Sequence, residues 1–154
     1  MNFELNNKTI HLYRSDYEKI LSQAKREFPL ECCGIFGGLE KEKDVYIYRV
    51  YEMKNIDESS THFSLDPKEQ FDKVNKIIDE GYEWLGSYHS HPYTPSRPSE
   101  EDKKLAYDPA LIYGIISLKG ENPVLNFFEI DEDKKVKKYN LNIWEEESAC
   151  ERGE

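Results

Sequence analysis

Cysteine is scarce in this chain, with three in 154 residues (Cys32, Cys33 and Cys150) and no Cys-x-x-Cys pair. Adjacent cysteines close only a strained ring, so a disulfide framework is not expected and a reducing compartment fits. Cys32 and Cys33 are expected as small, half-buried strand residues. Long apolar runs are also missing. Nothing approaches the roughly 18 residues that span a bilayer, and the N-terminus carries no basic segment followed by an apolar one. These absences point away from membranes and toward the cytoplasm. Positive charge is in deficit, 21 Lys and Arg against 31 Asp and Glu for a net charge of -10, which argues against nucleic acid as a partner. Internal repeats and low-complexity linkers are absent as well. The chain is therefore expected to form one domain over residues 1–144, followed by a frayed tail over 145–154, with a core large enough to stand without disulfides.

The apolar pattern that is present alternates between strand and helix periods. Thr9 to Tyr13 reads as a short strand. Ser15 and Glu18 have capping-box spacing and predict a helix start. In that helix Tyr17, Ile20, Leu21, Ala24 and Phe28 would face inward, Asp16, Lys19, Gln23 and Arg26 outward, and Pro29 would end it. Ile35 and Phe36 predict a buried strand with a turn opening at Gly37-Gly38, and Val45 to Met53 a strand returning antiparallel. Thr61 to Leu65 reads as a short strand. Asp66-Pro67-Lys68-Glu69 is a strong helix start, with Phe71, Val74, Ile77 and Ile78 as its buried stripe and Gly81 as its stop. Further strands are predicted at Glu83–His91, Leu111–Leu118, Val124–Ile130 and Lys135–Trp144. The fold class is α/β (α+β), a mixed β-sheet flanked by helices.

Chemistry concentrates in GSYHSHPYTPSRPSEED, Gly86 to Asp102. On the predicted strand, strict alternation puts Leu85, Ser87, His89 and His91 on one face and Trp84, Gly86, Tyr88 and Ser90 on the other. Histidines two apart on a strand stand about 6 to 7 Å apart at the backbone, a separation that suits two ligands on one ion. Pro92, Pro95 and Pro98 keep the next segment extended until Ser99, a natural N-cap with Asp102 in the first turn. A His-x-His pair alone is commonly a surface or hydrogen-bonded pair, and Ser-x-x-Asp alone is commonly a helix cap. Their conjunction, together with the acid Glu31 at the mouth of a buried strand, suggests two imidazoles and a carboxylate holding a zinc ion with its fourth position open.

The stretch resembles the signature of the JAMM metalloproteases, the MPN+ domain family: His-x-His, seven residues, Ser-x-x-Asp, and an upstream glutamate. PLECCGIFGG resembles the glutamate-bearing segment, with Glu31 in that place. The resemblance runs from the first helix to the strand after Asp102. It implies an MPN/JAMM domain of cytidine-deaminase-like architecture with one Zn2+ per chain. His89, His91 and Asp102 match the zinc ligands, with water as the fourth. Glu31 matches the general acid/base, and Ser99 the residue that helps to stabilise the tetrahedral oxyanion. Members with large insertions cleave ubiquitin isopeptide bonds, and this chain has little room for such insertions. It looks more like compact, stand-alone bacterial-type members. The implied activity is hydrolysis of an amide or isopeptide bond after the C-terminal Gly-Gly of a ubiquitin-like sulfur-carrier protein. Such a tail could add beside Thr61–Leu65 as an edge strand, with Phe63 a candidate substrate contact and His62 an ordinary surface residue. Three alternatives stay open: a non-catalytic MPN scaffold or binding module, a deubiquitinase-like isopeptidase, and a RadC-type relative tied to DNA, which the acidity opposes.

Overall fold

The computed structural model describes residues 3–145; of the expected tail, residues 146–154, with Cys150, lie outside the described residues. The described residues form seven strands and three helices in the order β1 (Glu4–Tyr13), α1 (Arg14–Glu27), β2 (Cys33–Lys41), β3 (Asp44–Met53), α2 (Pro67–Asp79), β4 (Glu83–His91), α3 (Glu100–Lys104), β5 (Ile112–Ser117), β6 (Val124–Ile130) and β7 (Val136–Trp144). The sheet is mixed, as expected. What the sequence pattern does not contain is its closure: β1-β3-β2-β4-β5-β6-β7 form a barrel, closed by parallel pairing of β1 with β7. β1–β3 and β4–β5 are parallel as well, and the other pairs are antiparallel. No helix among the described residues is long and apolar enough to cross a membrane.

One core cluster draws side chains from all seven strands, among them Leu12, Phe36, Ile47, Tyr88, Ile116, Phe127 and Tyr139, together with Ile20 and Ala24 of α1. A second, smaller one lies on the other face of the sheet, where Ile77 and Val74 of α2 meet Cys33, Ile35 and Trp84. Helix α1 thus serves one face and α2 the opposite one.

The helix starts differ in how they are made. β1 runs directly into α1, so Tyr13 occupies the N-cap without a side-chain cap bond and Ser15 falls one residue inside the helix, not at its cap. Asp16 and Gln23, expected outside, are buried. The reason is that both share a helix face with Ile20 and Ala24, the face on which α1 contacts β1, β3, β5 and β7. Gln23 is satisfied there: its amide donates to the Cys33 carbonyl at 2.9 Å and its oxygen accepts from Tyr88 Oη at 2.6 Å. Phe28, expected inside, is exposed just past the helix and packs edge-on against Tyr93 at 5.4 Å. In α2 the Asp66 cap, Pro67 start and Gly81 exit (φ +91) are as expected, but Phe71 and Ile78 are exposed, because α2 packs on the sheet through a narrower ridge of Val74 and Ile77.

Gly37 and Gly38 do not turn the chain. β2 continues through them to Lys41, while both neighbours bulge at this level: β3 carries Tyr48 as an extra residue and β4 carries Leu85. A Cβ at Gly37 would strike the Ile77 side chain and one at Gly38 the Tyr46 carbonyl, so backbone approach explains both glycines. The bulge also corrects the expected faces of β4. Leu85 joins Tyr88 in the large cluster, and Trp84 goes to the α2 side. Thr61–Leu65 is not a strand either. Only Leu65 bridges, to Asn55, because side chains claim the loop's amides: Ser59 Oγ accepts from the N–H of Thr61 and His62, and Asn55 Oδ1 from that of Ser64. The segment therefore offers no paired edge for a substrate tail.

Candidate active site

The site is built on the end of the β2–β4 ladder. Cys33 pairs with His89, and the Ser90 N–H donates to the Cys32 carbonyl at 3.0 Å, extending the antiparallel register beyond the strand. Continued by one more pair, that register puts Glu31 across from His91, so residues 60 positions apart in sequence meet on one sheet face. Glu31 is fixed through its backbone: its N–H donates to the Ser59 carbonyl at 2.8 Å and its carbonyl accepts from Asn55 Nδ2 at 3.1 Å. Asp102 comes from the first turn of α3. Ser99 Oγ accepts from the Asp102 N–H at 3.0 Å, and Asp102 Oδ2 accepts from the Ser99 N–H at 2.9 Å, a reciprocal cap that presents the carboxylate inward.

Three donor atoms converge. His89 Nε2 and His91 Nε2 are 3.1 Å apart, and they lie 3.2 and 3.1 Å from Asp102 Oδ2. Among the described residues this is the one group of three His, Cys, Asp or Glu side chains placed to share a metal ion. The spacing fits the ion expected from the sequence, since tetrahedral ligands with bonds of 2.0 to 2.1 Å stand roughly 3.3 Å from one another. His91 Nδ1 lies 2.8 Å from the Pro95 carbonyl. A carbonyl only accepts, so Nδ1 carries a proton in either charge state, and in the neutral ring the Nε2 lone pair faces the triangle.

The charges of this group are strongly biased. Burial would raise Asp102, but hydrogen bonds from His89, His91 and the Ser99 N–H hold it well below the usual carboxylate range. Burial lowers His89, only partly opposed by Asp102. His91 stands above its ordinary value, because Asp102 and the Pro95 carbonyl outweigh its burial. Glu31, 5% exposed, is pushed up to about 8 by burial, with His91 opposing and Asp102 and Glu101 reinforcing the rise. Cys32 is likewise pushed up to about 12 by burial, and Cys33 further still, which removes both thiols as nucleophiles at neutral pH.

A family model described as prokaryotic homologs of the JAB domain matches residues 14–131, which include every residue of this constellation. The chain belongs to the Prok-JAB family. A CysO-cysteine peptidase of Mycobacterium tuberculosis is 34% identical to this JAB chain over 101 residues, covering 65% of it and 67% of that protein. A desampylase of Haloferax volcanii is 31% identical over 108 residues, covering 67% and 76%. The solution structure of a Desulfitobacterium hafniense protein superimposes with a TM-score of 0.82 at 43% identity, covering 89% of this chain and 94% of that one. A Salinibacter ruber protein, at 21% identity and a TM-score of 0.61, shares the fold. The names of the two curated relatives are those of hydrolases.

Every site residue read from the sequence has a place around the JAB-domain triangle. Ser99 is exposed at its rim. Phe63 stacks on His89, with ring centroids 4.4 Å apart and planes 20° from parallel. His62, exposed as expected, bonds Glu101 through Nδ1 at 2.8 Å and ties the loop after β3 to α3. Sequence reasoning missed Asn55, which is buried and also donates to the His62 carbonyl; its Asn-x-Asp spacing at the start of a polar loop was the available signal. It missed the Pro95 carbonyl too, for which no side-chain pattern exists. Two clefts flank the triangle. One is apolar, lined by Phe63, His89, Leu105, Tyr113, Ile115 and Ile130, and through Phe63, Leu105 and Tyr113 it adjoins a groove reaching Trp84, Tyr107 and Leu111. The other lies on the far side of His91, is walled by Pro95 and Pro98, and carries the polar side chains of His91, Thr94, Arg97 and Ser99.

Proposed function

We propose that this protein is a zinc metallopeptidase of JAMM type that hydrolyses the amide bond after the C-terminal Gly-Gly of a ubiquitin-like, sulfur-carrier-type protein. The observation that carries this reading is the donor triangle of His89, His91 and Asp102, with the buried carboxyl of Glu31 opposite His91. The names of the relatives, a peptidase of a cysteine-bearing carrier and a desampylase, support the substrate class.

Zinc bound by these three side chains would supply Lewis acidity at the scissile carbonyl and lower the pKa of water from 15.7 to about 7. The remaining work falls to the chain itself. Asp102 stays ionised and His89 neutral, the states ligation requires. Glu31 ionises more readily when positive charge occupies the triangle, takes a proton from the attacking water and delivers it to the departing amine, a contribution of roughly 10² to 10⁴-fold. Ser99 Oγ accepts from the Asp102 N–H, which leaves its own O–H to donate to the developing oxyanion. The amide C–N bond breaks, water oxygen adds to the carbonyl carbon, and the products are the free carrier carboxylate and an amine. The groove running from Phe63 past Leu105 and Tyr113 toward Trp84 and Tyr107 receives the tail, where two glycines permit close approach to the ligand side chains.

An intact donor set together with a raised glutamate speaks against the scaffold alternative, which would need neither. The test is to incubate zinc-loaded protein with a panel of C-terminally extended ubiquitin-like carriers and follow their masses. Loss of the extension by the native protein, and not by Glu31→Gln with zinc bound, is expected. Freshly purified protein without zinc, or a Glu31→Gln variant that cleaves as fast as the native chain, would overturn the reading.

A further inference from the structure

The cleft beside His91 and Ser99 holds a cation, Arg97, that the preceding mechanism does not use. Its volume of about 210 Å³ lies below the roughly 300 to 1,000 Å³ of typical small-molecule pockets, a size suited to one residue and not to a folded partner. Through Pro95 and Arg97 it adjoins a shallow basin that adds Lys119 and Lys138, and no acidic residue lines either. In a chain of net charge -10 such a surface stands out. Arg14, Arg26 and Arg49 are each ion-paired with glutamates, whereas among the described residues no carboxylate lies within ion-pair distance of Arg97. The backbone that carries Arg97 is nevertheless held in place. Its N–H donates to the Pro95 carbonyl at 2.9 Å, the same oxygen that accepts from His91, and Ser96 Oγ donates to the Ile115 carbonyl at 2.7 Å.

We propose that Arg97 binds the free α-carboxylate of the residue released, so that the enzyme removes a single C-terminal residue from its carrier in preference to cutting isopeptide bonds. This rests on the hydrolase reading above. In a Gly-Gly-X acid the carboxylate is one Cα from the scissile nitrogen, so a cation reading it must share a cleft with the donor triangle, as Arg97 does with His91 and Ser99. In an isopeptide the scissile nitrogen belongs to a lysine side chain, and the corresponding position carries no anion. A planar guanidinium matches a carboxylate in bidentate fashion, which lysine does not. Water alone is consumed, with the C–N bond broken and the proton left on the α-amine.

The test compares one ubiquitin-like carrier ending in Gly-Gly-Cys as the free acid and as the C-terminal amide, with zinc-loaded native protein, Arg97→Gln and Arg97→Lys. The native enzyme should prefer the acid by about 10- to 100-fold in kcat/KM, as charge-assisted hydrogen bonds deliver, and less at high salt. Arg97→Gln should bring the acid-over-amide ratio close to one, and Arg97→Lys should retain part of it. A native ratio near one overturns the proposal, as does an Arg97→Gln variant that slows acid and amide equally, the mark of a structural role. If the native protein cleaves neither form, the hydrolase reading fails by itself. The carboxylate reading is then decided by the Arg97 Nε–H resonance in the presence of Gly-Gly-Cys tripeptide: a shift with the acid and not the amide supports it, and no difference between them overturns it.

Discussion

Replacing Glu31 by glutamine should make the metal-free protein more stable while making the enzyme worse, and the size of the first effect follows from the burial of the carboxyl. Its ordinary value of 4.5 is displaced to about 8 in the folded chain. A displacement of that size corresponds to about 4.8 kcal/mol at 1.36 kcal/mol per pH unit, and relaxation with water entry reduces this to roughly half. Because the folded value is raised, the stability linked to Glu31 is fully present below about pH 4.5 and is lost as pH climbs through about 8. Glutamine does not titrate. The two proteins should therefore be equally stable near pH 4.5, and Glu31→Gln should lead by about 2 to 3 kcal/mol near pH 9. Urea unfolding of chelator-treated protein, followed by tryptophan fluorescence at intervals across that range, measures the difference directly, and titrations common to both proteins cancel. With zinc loaded the gap should narrow, since positive charge beside the carboxyl favours its ionised form. A difference that stays flat with pH in the metal-free proteins would refute the buried, charge-averse state of Glu31 and the proton-transfer role built on it.

Other perturbations probe the remaining parts. His89→Ala or Asp102→Asn removes one corner of the donor triangle, and zinc measured by atomic emission should fall from one per chain to a small fraction; full retention in both would remove the site. Ser99→Ala should slow hydrolysis by roughly 10² to 10³-fold and cost about 1 kcal/mol of stability through the lost cap. Ser99→Asp keeps a capping oxygen without a donor, so full activity in that variant would refute the oxyanion role. Asn55→Ala breaks hydrogen bonds to the Glu31 and His62 carbonyls and to the Asp57 and Ser64 amides, and thermal melting should report a loss of about 2 to 4 kcal/mol. Gly38→Ala places a methyl group on the Tyr46 carbonyl and should lower stability by about 3 kcal/mol or more; an unchanged melting temperature would contradict the bulged ladder.

The site was more legible in the sequence than the frame that holds it. Alternation on Glu83–His91 is local, so it placed both imidazoles on one face without knowledge of any neighbour, and the Ser99 cap announced where Asp102 would stand. Glu31 stood out as an acid at the mouth of a buried strand and took its role from motif resemblance; its register against His91 depends on pairing across 60 positions, which periodicity does not encode. Barrel closure was hidden for the same reason, since β1 and β7 lie at opposite ends of the described chain and each looks like an ordinary strand alone. Helix α1 misled because Gln23 and Asp16 are polar yet buried, a pattern that only contact with several strands explains. Gly37-Gly38 reads as a turn in any local scheme, and only the extra residues in both flanking strands reveal it as a crossing point of tightly approached backbones.

Those two extra residues, Tyr48 and Leu85, divide the β3–β2–β4 region into two short ladders joined out of phase. On the side of Glu31, His89 and His91, the inward and outward frame is set by the pairs Cys33–His89 to Phe36–Gly86 and, on the other edge of β4, by its unbroken pairing with β5 from Gly86–Ile112 to His91–Ser117. On the far side the frame restarts. A slip, insertion or grafted segment beyond Gly37 would be absorbed at that joint and would not propagate as a half-turn of the imidazoles. The enzyme can therefore vary the distal half of these strands, in descent or in engineering, while the segment that aims its ligands keeps time between β2 and β5.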